Sequence, residues 1–286
     1  VEFPYIYCDR GQETKRIKLL QIVTDQYSFA AKPLELSFQG KSLSSGTGFI
    51  WRAEGKAFLI TNWHIVTGID PRTGRHLANH GGEPDTVSVQ FDPVGAPFGM
   101  GRPIPLPLRD AEGVPLWLEH SAVRGIDVVA LPLPEMPDVA LYPINEMDDD
   151  PMLVAIGTDA FILGYPFGNA ASTFPIWKRA SIASEPHVSI DGQPCFYVDT
   201  ASRPGMSGSP VILRSWGGFQ TDKGGMVAGP GAATRFIGVY SGRIVAKDQL
   251  QAQLGVVWRA EVVDRIITTG CPGSMTAQVA TWPHSA

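Results

Sequence analysis

The sequence predicts an all-β protein, on three observations. Short apolar or alternating runs recur along most of its length, 31 glycines and 24 prolines supply turns between them, and helical periodicity occurs only near the C-terminus. Leu34-Glu35-Leu36-Ser37-Phe38 and Val87-Ser88-Val89-Gln90-Phe91 alternate apolar with polar residues, as a strand with one face in a core must. Phe58 to Thr61, Val128 to Leu131, Phe161 to Leu163, Phe196 to Val198 and Phe236 to Tyr240 are short apolar runs that suit buried strands. From Trp258 to Ile267 the apolar spacing is that of one amphipathic helix, near 258–268, with Gly270 placed to stop it. Pro93 to Pro115 reads as an extended crossover. The glycine-rich stretch between Arg214 and Phe236 reads as a flexible surface hairpin or mobile lid; it lacks the Gly-Lys-Ser/Thr ending of a phosphate cradle.

Composition narrows the function classes. With 44% apolar residues the chain has material for one large core or two smaller ones. A formal charge of −5 and the lack of a long basic run argue against a nucleic-acid surface, and no apolar run approaches bilayer-spanning length. Cys8, Cys195 and Cys271 are too few and too scattered for a disulfide framework or a zinc site. Cys195 lies in a strand pattern and reads as a buried structural thiol. The odd count leans toward a reducing compartment, so a cytoplasmic location is favoured over secretion. The chain begins at Val1 without methionine, which leaves a removed upstream segment open. The acidic run Glu146, Asp148, Asp149 and Asp150 suits a solvated linker better than a calcium loop, whose spaced ligands and glycine it lacks, and no metal site is expected.

Three separated segments carry chemistry. In Gly205-Met206-Ser207-Gly208-Ser209-Pro210 a serine stands between glycines just ahead of the apolar run Val211-Ile212-Leu213. Glycine two residues before the serine permits a turn that aims the N–H groups of Gly205 and Ser207 at one point, where a carbonyl oxygen would gain charge. Serine needs a base to take its proton, and histidine suits that task near neutral pH. Of the six histidines, His64 alone follows a strand-like run; His76, His80, His120, His187 and His284 read as solvated loop or terminal residues. Asp127 opens the apolar run Asp127-Val128-Val129-Ala130-Leu131, where a lone carboxylate is costly unless it serves a partner such as an imidazole. The order His64, Asp127, Ser207 is opposite to that of the α/β-hydrolases, and Ser209 stands where their elbow has its second glycine.

These segments resemble the trypsin/chymotrypsin-fold serine peptidases of bacterial type, including the high-temperature-requirement peptidases and the glutamyl endopeptidases. The resemblance is carried by Ser45-Gly46-Thr47-Gly48-Phe49-Ile50, Thr61-Asn62-Trp63-His64-Ile65-Val66, Asp127 to Leu131, Ile162-Leu163-Gly164-Tyr165-Pro166-Phe167-Gly168, Gly205 to Pro210, and Ile237-Gly238-Val239-Tyr240-Ser241-Gly242. It implies two packed antiparallel six-stranded β-barrels with a short C-terminal helix: residues 1–147 carrying His64 and Asp127, residues 148–286 carrying Ser207, and the cleft between them.

It also implies a serine endopeptidase acting on peptide or protein substrates through an acyl-enzyme, without metal or organic cofactor. The oxyanion would be held by Gly205 and Ser207, and substrate by Ala201, Ser202, Tyr240, Ser241 and Gly242. Ala201 falls where trypsins carry an acid, and Tyr240 where glutamyl endopeptidases carry a histidine. Both departures point to a small or medium apolar side chain in the primary pocket. Met206 replaces the aspartate that digestive members pair with a new N-terminus, an ion pair methionine cannot make. Ser209 is expected to support the turn, and Arg243 to be an exposed surface arginine. The alternatives are a catalytically silent peptide-binding module and an esterase using the same triad. Oligomeric state is left open.

Overall fold

The computed structural model describes residues 24–77, 82–97, 99–123, 125–168, 174–201, 203–243 and 253–276. In chain order the first elements are β1 (Ala31–Phe38), β2 (Lys41–Ala53), β3 (Lys56–Thr61), α1 (Trp63–Thr67), β4 (Thr86–Pro93), β5 (Arg102–Pro107), β6 (Leu118–Glu119), β7 (Val129–Pro132) and β8 (Val139–Ala140). They are followed by β9 (Asp159–Gly164), β10 (Ile176–Ile182), β11 (Cys195–Asp199), β12 (Pro210–Gln220), β13 (Met226–Arg243), β14 (Leu254–Arg259), α2 (Glu261–Thr269) and β15 (Cys271–Pro272). The all-β expectation holds, and every paired strand is antiparallel.

Strands β9 to β14 close into a six-stranded barrel in the order β10-β11-β14-β13-β12-β9. The earlier strands form a nine-stranded sheet along the path β15-β6-β7-β3-β2-β1-β4-β5, with β8 added on β4. Its end strand β15 arrives from the C-terminal part of the chain. Gln39-Gly40 and Glu54-Gly55, each with positive φ at both residues, turn β1 into β2 and β2 into β3 in the sense that matches strand twist.

One apolar cluster fills the first sheet around Leu36, Leu59, Val89 and Trp117, and a second fills the barrel around Ile162, Phe196, Val211 and Tyr240. A third joins the two, with Phe49 of β2 edge-on to Phe236 of β13 at 5.5 Å between ring centroids. Val262, Val263 and Ile266 place the buried face of α2 in that same cluster. At roughly 1.5–3 kcal/mol per fully buried apolar side chain, this shared core resists separation of the halves.

Three expectations are corrected and one is met. The helix begins at Glu261, because Trp258 is held in β14 between Cys195 of β11 and Val239 of β13, and barrel closure outweighs local helical spacing. Gly270 does cap its end, its N–H reaching the Ile266 carbonyl. The stretch from Arg214 to Phe236 is a hairpin as expected, the paired outer part of β12 and β13, with a register shift at Trp216/Gly218. Pro93 to Pro115 contains an edge strand, β5, whose Pro103, Pro105 and Pro107 occupy alternate positions, so the missing N–H groups fall on the side away from β4. The acidic run is not a solvated linker throughout: Asp149 and Asp150 accept the backbone N–H groups of Phe236 and Thr234, both at 2.8 Å.

Cys195 is fully buried, and burial pushes its thiol pKa up to about 12, in keeping with a structural role. Among the described residues no helix is long and apolar enough to cross a membrane. His80, His284, Cys8 and Ser202 lie outside the described residues.

Candidate active site

His64 is the second residue of α1, the short helix that turns the chain away from the end of β3. Asn62 at its N-cap spends its side chain elsewhere: Nδ2 donates to the Asp127 carbonyl at 2.6 Å. The left-handed Gly68 closes the other end, its N–H reaching the His64 carbonyl at 3.0 Å.

Asp127, 2% exposed, stands just before β7. Its Oδ1 accepts the His64 backbone N–H at 2.8 Å, and its Oδ2 stands 2.6 Å from His64 Nδ1. The Ser241 hydroxyl donates to the same Oδ2. Such a set of donors is what allows a buried carboxylate to persist. A carboxylate only accepts, so the imidazole hydrogen is assigned to Nδ1, which leaves the lone pair on Nε2.

The serine loop folds as it does because two of its residues are glycine. Gly205 has φ +92° and Gly208 φ +83°. A Cβ at 205 would stand 2.4 Å from the Tyr165 carbonyl oxygen, and one at 208 would stand 2.0 Å from the Thr47 carbonyl oxygen. Thr47 of β2 then ties the loop down, its N–H donating to Ser207 O at 2.9 Å and its hydroxyl to Gly205 O at 2.7 Å. On the other side the Gly208 N–H donates to Tyr240 O at 2.8 Å, and the Tyr240 N–H to Ser209 O at 2.9 Å. Met206 is buried in the barrel and anchors the loop by packing. Ser209 is buried against Gly164. The N–H groups of Gly205 and Ser207 find no acceptor among the described residues.

Strand β13 links the three segments. Ser241 touches Asp127, and a Cβ on the next residue, Gly242, would lie 3.4 Å from Ser207 Oγ. One strand therefore borders both the carboxylate that contacts the imidazole and the hydroxyl of the half-buried Ser207. Among the other expected substrate residues, Ala201 is exposed, whereas Tyr240 is fully buried with its ring packed on Gly255.

Sequence reasoning did not find Thr47, whose only mark is its place between Gly46 and Gly48. It also misjudged His120, expected in solvent but 8% exposed. His120 Nδ1 accepts the N–H groups of Ala122 and Val123, and burial, with Arg265 adding to it, holds its pKa below the usual histidine value. Next to it Glu119, also buried, accepts hydrogen bonds from two tryptophans.

The family model for a trypsin-like peptidase domain matches residues 46–217, a span containing His64, Asp127 and Ser207. Among solved structures, the active form of the Rv3671c protease from M. tuberculosis aligns over 88% of this chain and 87% of its own, at 19% identity and TM-score 0.48. Its inactive form aligns over 84% and 88%, at 19% identity and TM-score 0.44. The serine endoprotease from Yersinia pestis aligns over 86% of this chain and 66% of its own, at 13% identity and TM-score 0.48. No curated protein gives a significant match.

Proposed function

The chain belongs to the trypsin-like peptidase family, and from that premise we propose that it is a serine endopeptidase working through His64, Asp127 and Ser207. The observation that carries the reading is the double contact of Asp127 with His64, at 2.8 and 2.6 Å, beside a strand that also borders the Ser207 hydroxyl.

In this mechanism His64 Nε2 takes the proton of Ser207 Oγ as the oxygen bonds to the substrate carbonyl carbon. The carbonyl oxygen becomes an anion, met by the N–H groups of Gly205 and Ser207. The C–N bond then breaks, the leaving amine takes the proton from His64, and an acyl-enzyme remains. Water enters by the same route in reverse, His64 accepting its proton and returning it to Ser207. Asp127 keeps the Nδ1 hydrogen in place throughout, and the chemistry calls for no cofactor.

Peptide substrate would lie along β13 at Ser241 and Gly242, pairing backbone to backbone with the strand edge. Ala201 would border the primary side-chain pocket. The Tyr240 ring, packed on Gly255, would limit its depth, which favours a small or medium apolar side chain over Lys, Arg or Glu. The division of labour would place the base and its carboxylate in residues 1–147 and the nucleophile in 148–286.

The test is labelling with a fluorophosphonate probe together with cleavage of a peptide library. Wild type labels at Ser207 and cleaves internal peptide bonds, whereas folded Ser207→Ala does neither, with turnover down on the order of 10⁶-fold. Folded wild type that takes no label is a peptide-binding module instead. Labelling with ester cleavage but no peptide cleavage makes it an esterase.

A further inference from the structure

Glu119 is a buried carboxylate that pairs with no cation among the described residues. Its Oε1 instead collects neutral donors from its own segment and from two others distant in sequence: Trp117 Nε1 at 2.9 Å, Trp63 Nε1 at 3.0 Å and the Ser274 N–H at 2.6 Å. Trp63 Nε1 also lies 3.1 Å from the Ser274 carbonyl, so indole and strap are locked to each other as well as to the acid. The strap is the chain beyond α2. Cys271 and Pro272 pair with Glu119 and Leu118, the Gly273 N–H donates to Trp117 O at 2.9 Å, and Gly273 lies so close to the Trp117 ring that a Cβ there would stand 2.3 Å from Nε1. A buried carboxylate is a costly way to fill space, and an apolar residue of similar volume would often do so at no loss of stability. What Glu119 does that an apolar residue cannot is fix where the Trp63 indole points.

Trp63 is the first residue of α1 and His64 the second. A five-residue helix does not support itself, and this one has no side-chain cap at its start. Its orientation follows from what its side chains grip: the apolar core through Ile65 and Val66, Asp127 through His64, and Glu119 through Trp63. A misplacement of about 1 Å at a reacting group costs about 100-fold in rate, so the second grip bears on the first.

We propose that Glu119 is a positioning residue for the histidine base, acting through the Trp63 indole, and that the strap Cys271–Ser274 is thereby a working part of the active site. This rests on the serine-peptidase reading given above. The dependence is specific to hydrogen bonding at one oxygen, which separates it from ordinary core packing.

The experiment measures kcat and KM per fluorophosphonate-titrated site, on folded protein checked by thermal unfolding, for Trp63→Phe, Glu119→Leu, their double variant, Glu119→Gln and Ser274→Pro. Trp63→Phe keeps an aromatic ring and loses the indole N–H; Ser274→Pro removes the strap donor, together with the exposed hydroxyl that accepts the Thr276 N–H. Both Trp63→Phe and Glu119→Leu are expected to lower kcat about 10- to 100-fold with KM within about threefold. The double variant should be no slower than the slower single one, since both break one link. Glu119→Gln keeps an acceptor oxygen and should recover most of the rate, and Ser274→Pro should lose about threefold to tenfold.

Rates within threefold of wild type for both Trp63→Phe and Glu119→Leu would overturn the proposal. So would multiplicative losses in the double variant, or a Glu119→Gln no faster than Glu119→Leu. If Glu119→Leu fails to fold, Trp63→Phe and Ser274→Pro decide, and full activity in both refutes it. Wild type that neither labels nor cleaves sinks the peptidase reading along with this one, whereas an active wild type with indifferent variants sinks this inference alone.

Discussion

The Thr47 hydroxyl donates to the Gly205 carbonyl at 2.7 Å and accepts the Tyr165 N–H at 3.1 Å. One side chain of the first sheet thus holds two loops of the barrel, and the serine loop is set by contacts from both halves. Thr47→Val keeps the volume and removes the hydroxyl, so the Gly205 carbonyl and the Tyr165 N–H both lose this partner. Stability should fall by about 1–3 kcal/mol in denaturant unfolding. Turnover should fall about tenfold or more as the loop loosens, and unchanged unfolding would refute the role.

Gly205→Ala forces a Cβ to within 2.4 Å of the Tyr165 carbonyl oxygen at a φ of +92° that side chains rarely adopt. The loop must shift, and the Gly205 N–H shifts with it. If that group holds the oxyanion, kcat should drop about 100-fold or more while KM changes little. Single-turnover acylation rates are the direct measurement.

Ser241→Ala removes one of the donors on Asp127 Oδ2 but leaves both contacts with His64 in place. The expected loss is about tenfold in kcat, as for one hydrogen bond to a charged group. A crystal structure of the variant should show the imidazole still against Asp127. A loss as large as that of His64→Ala would mean that Ser241 does more than support the carboxylate.

Lys32 is 1% exposed, with its ammonium 5.1 Å from the centre of the Tyr142 ring. Burial lowers its pKa from 10.5 to about 8, while Asp92 pushes the other way. Below pH 8 the group is charged in folded and unfolded chains alike, and the folded state bears the full cost of burying it. Between pH 8 and 10.5 the unfolded chain binds the extra proton, so this group's contribution to stability improves as pH rises. Lys32→Met should therefore be more stable than wild type at pH 7, with its advantage shrinking by about 2 kcal/mol by pH 10. Parallel stability curves for the two proteins would rule this out.

How much was legible in the sequence differs between the two kinds of information it holds. Local patterns were readable where one residue type has one physical use. The glycines at 205 and 208 announce a turn closed to side chains, Asp127 heading an apolar run announces a buried carboxylate with a partner, and the alternation from Leu34 to Phe38 announces β1. The helix start was misread because Trp258 and Arg259 fit a helix locally but complete a barrel ladder globally. The prolines of β5 hid a strand because only an edge position lets every second N–H be missing.

The sequence by itself determined the all-β class, the strand runs, and the glycine-serine loop with its histidine and aspartate candidates, since each follows from the stereochemistry or burial cost of neighbouring residues. Only the tertiary structure decided that Thr47 grips Gly205, that Ser241 reaches Asp127, and that Glu119 gathers Trp63, Trp117 and Ser274. Those contacts join residues as much as 158 positions apart, and no local pattern encodes a partner that barrel closure and sheet register bring into reach.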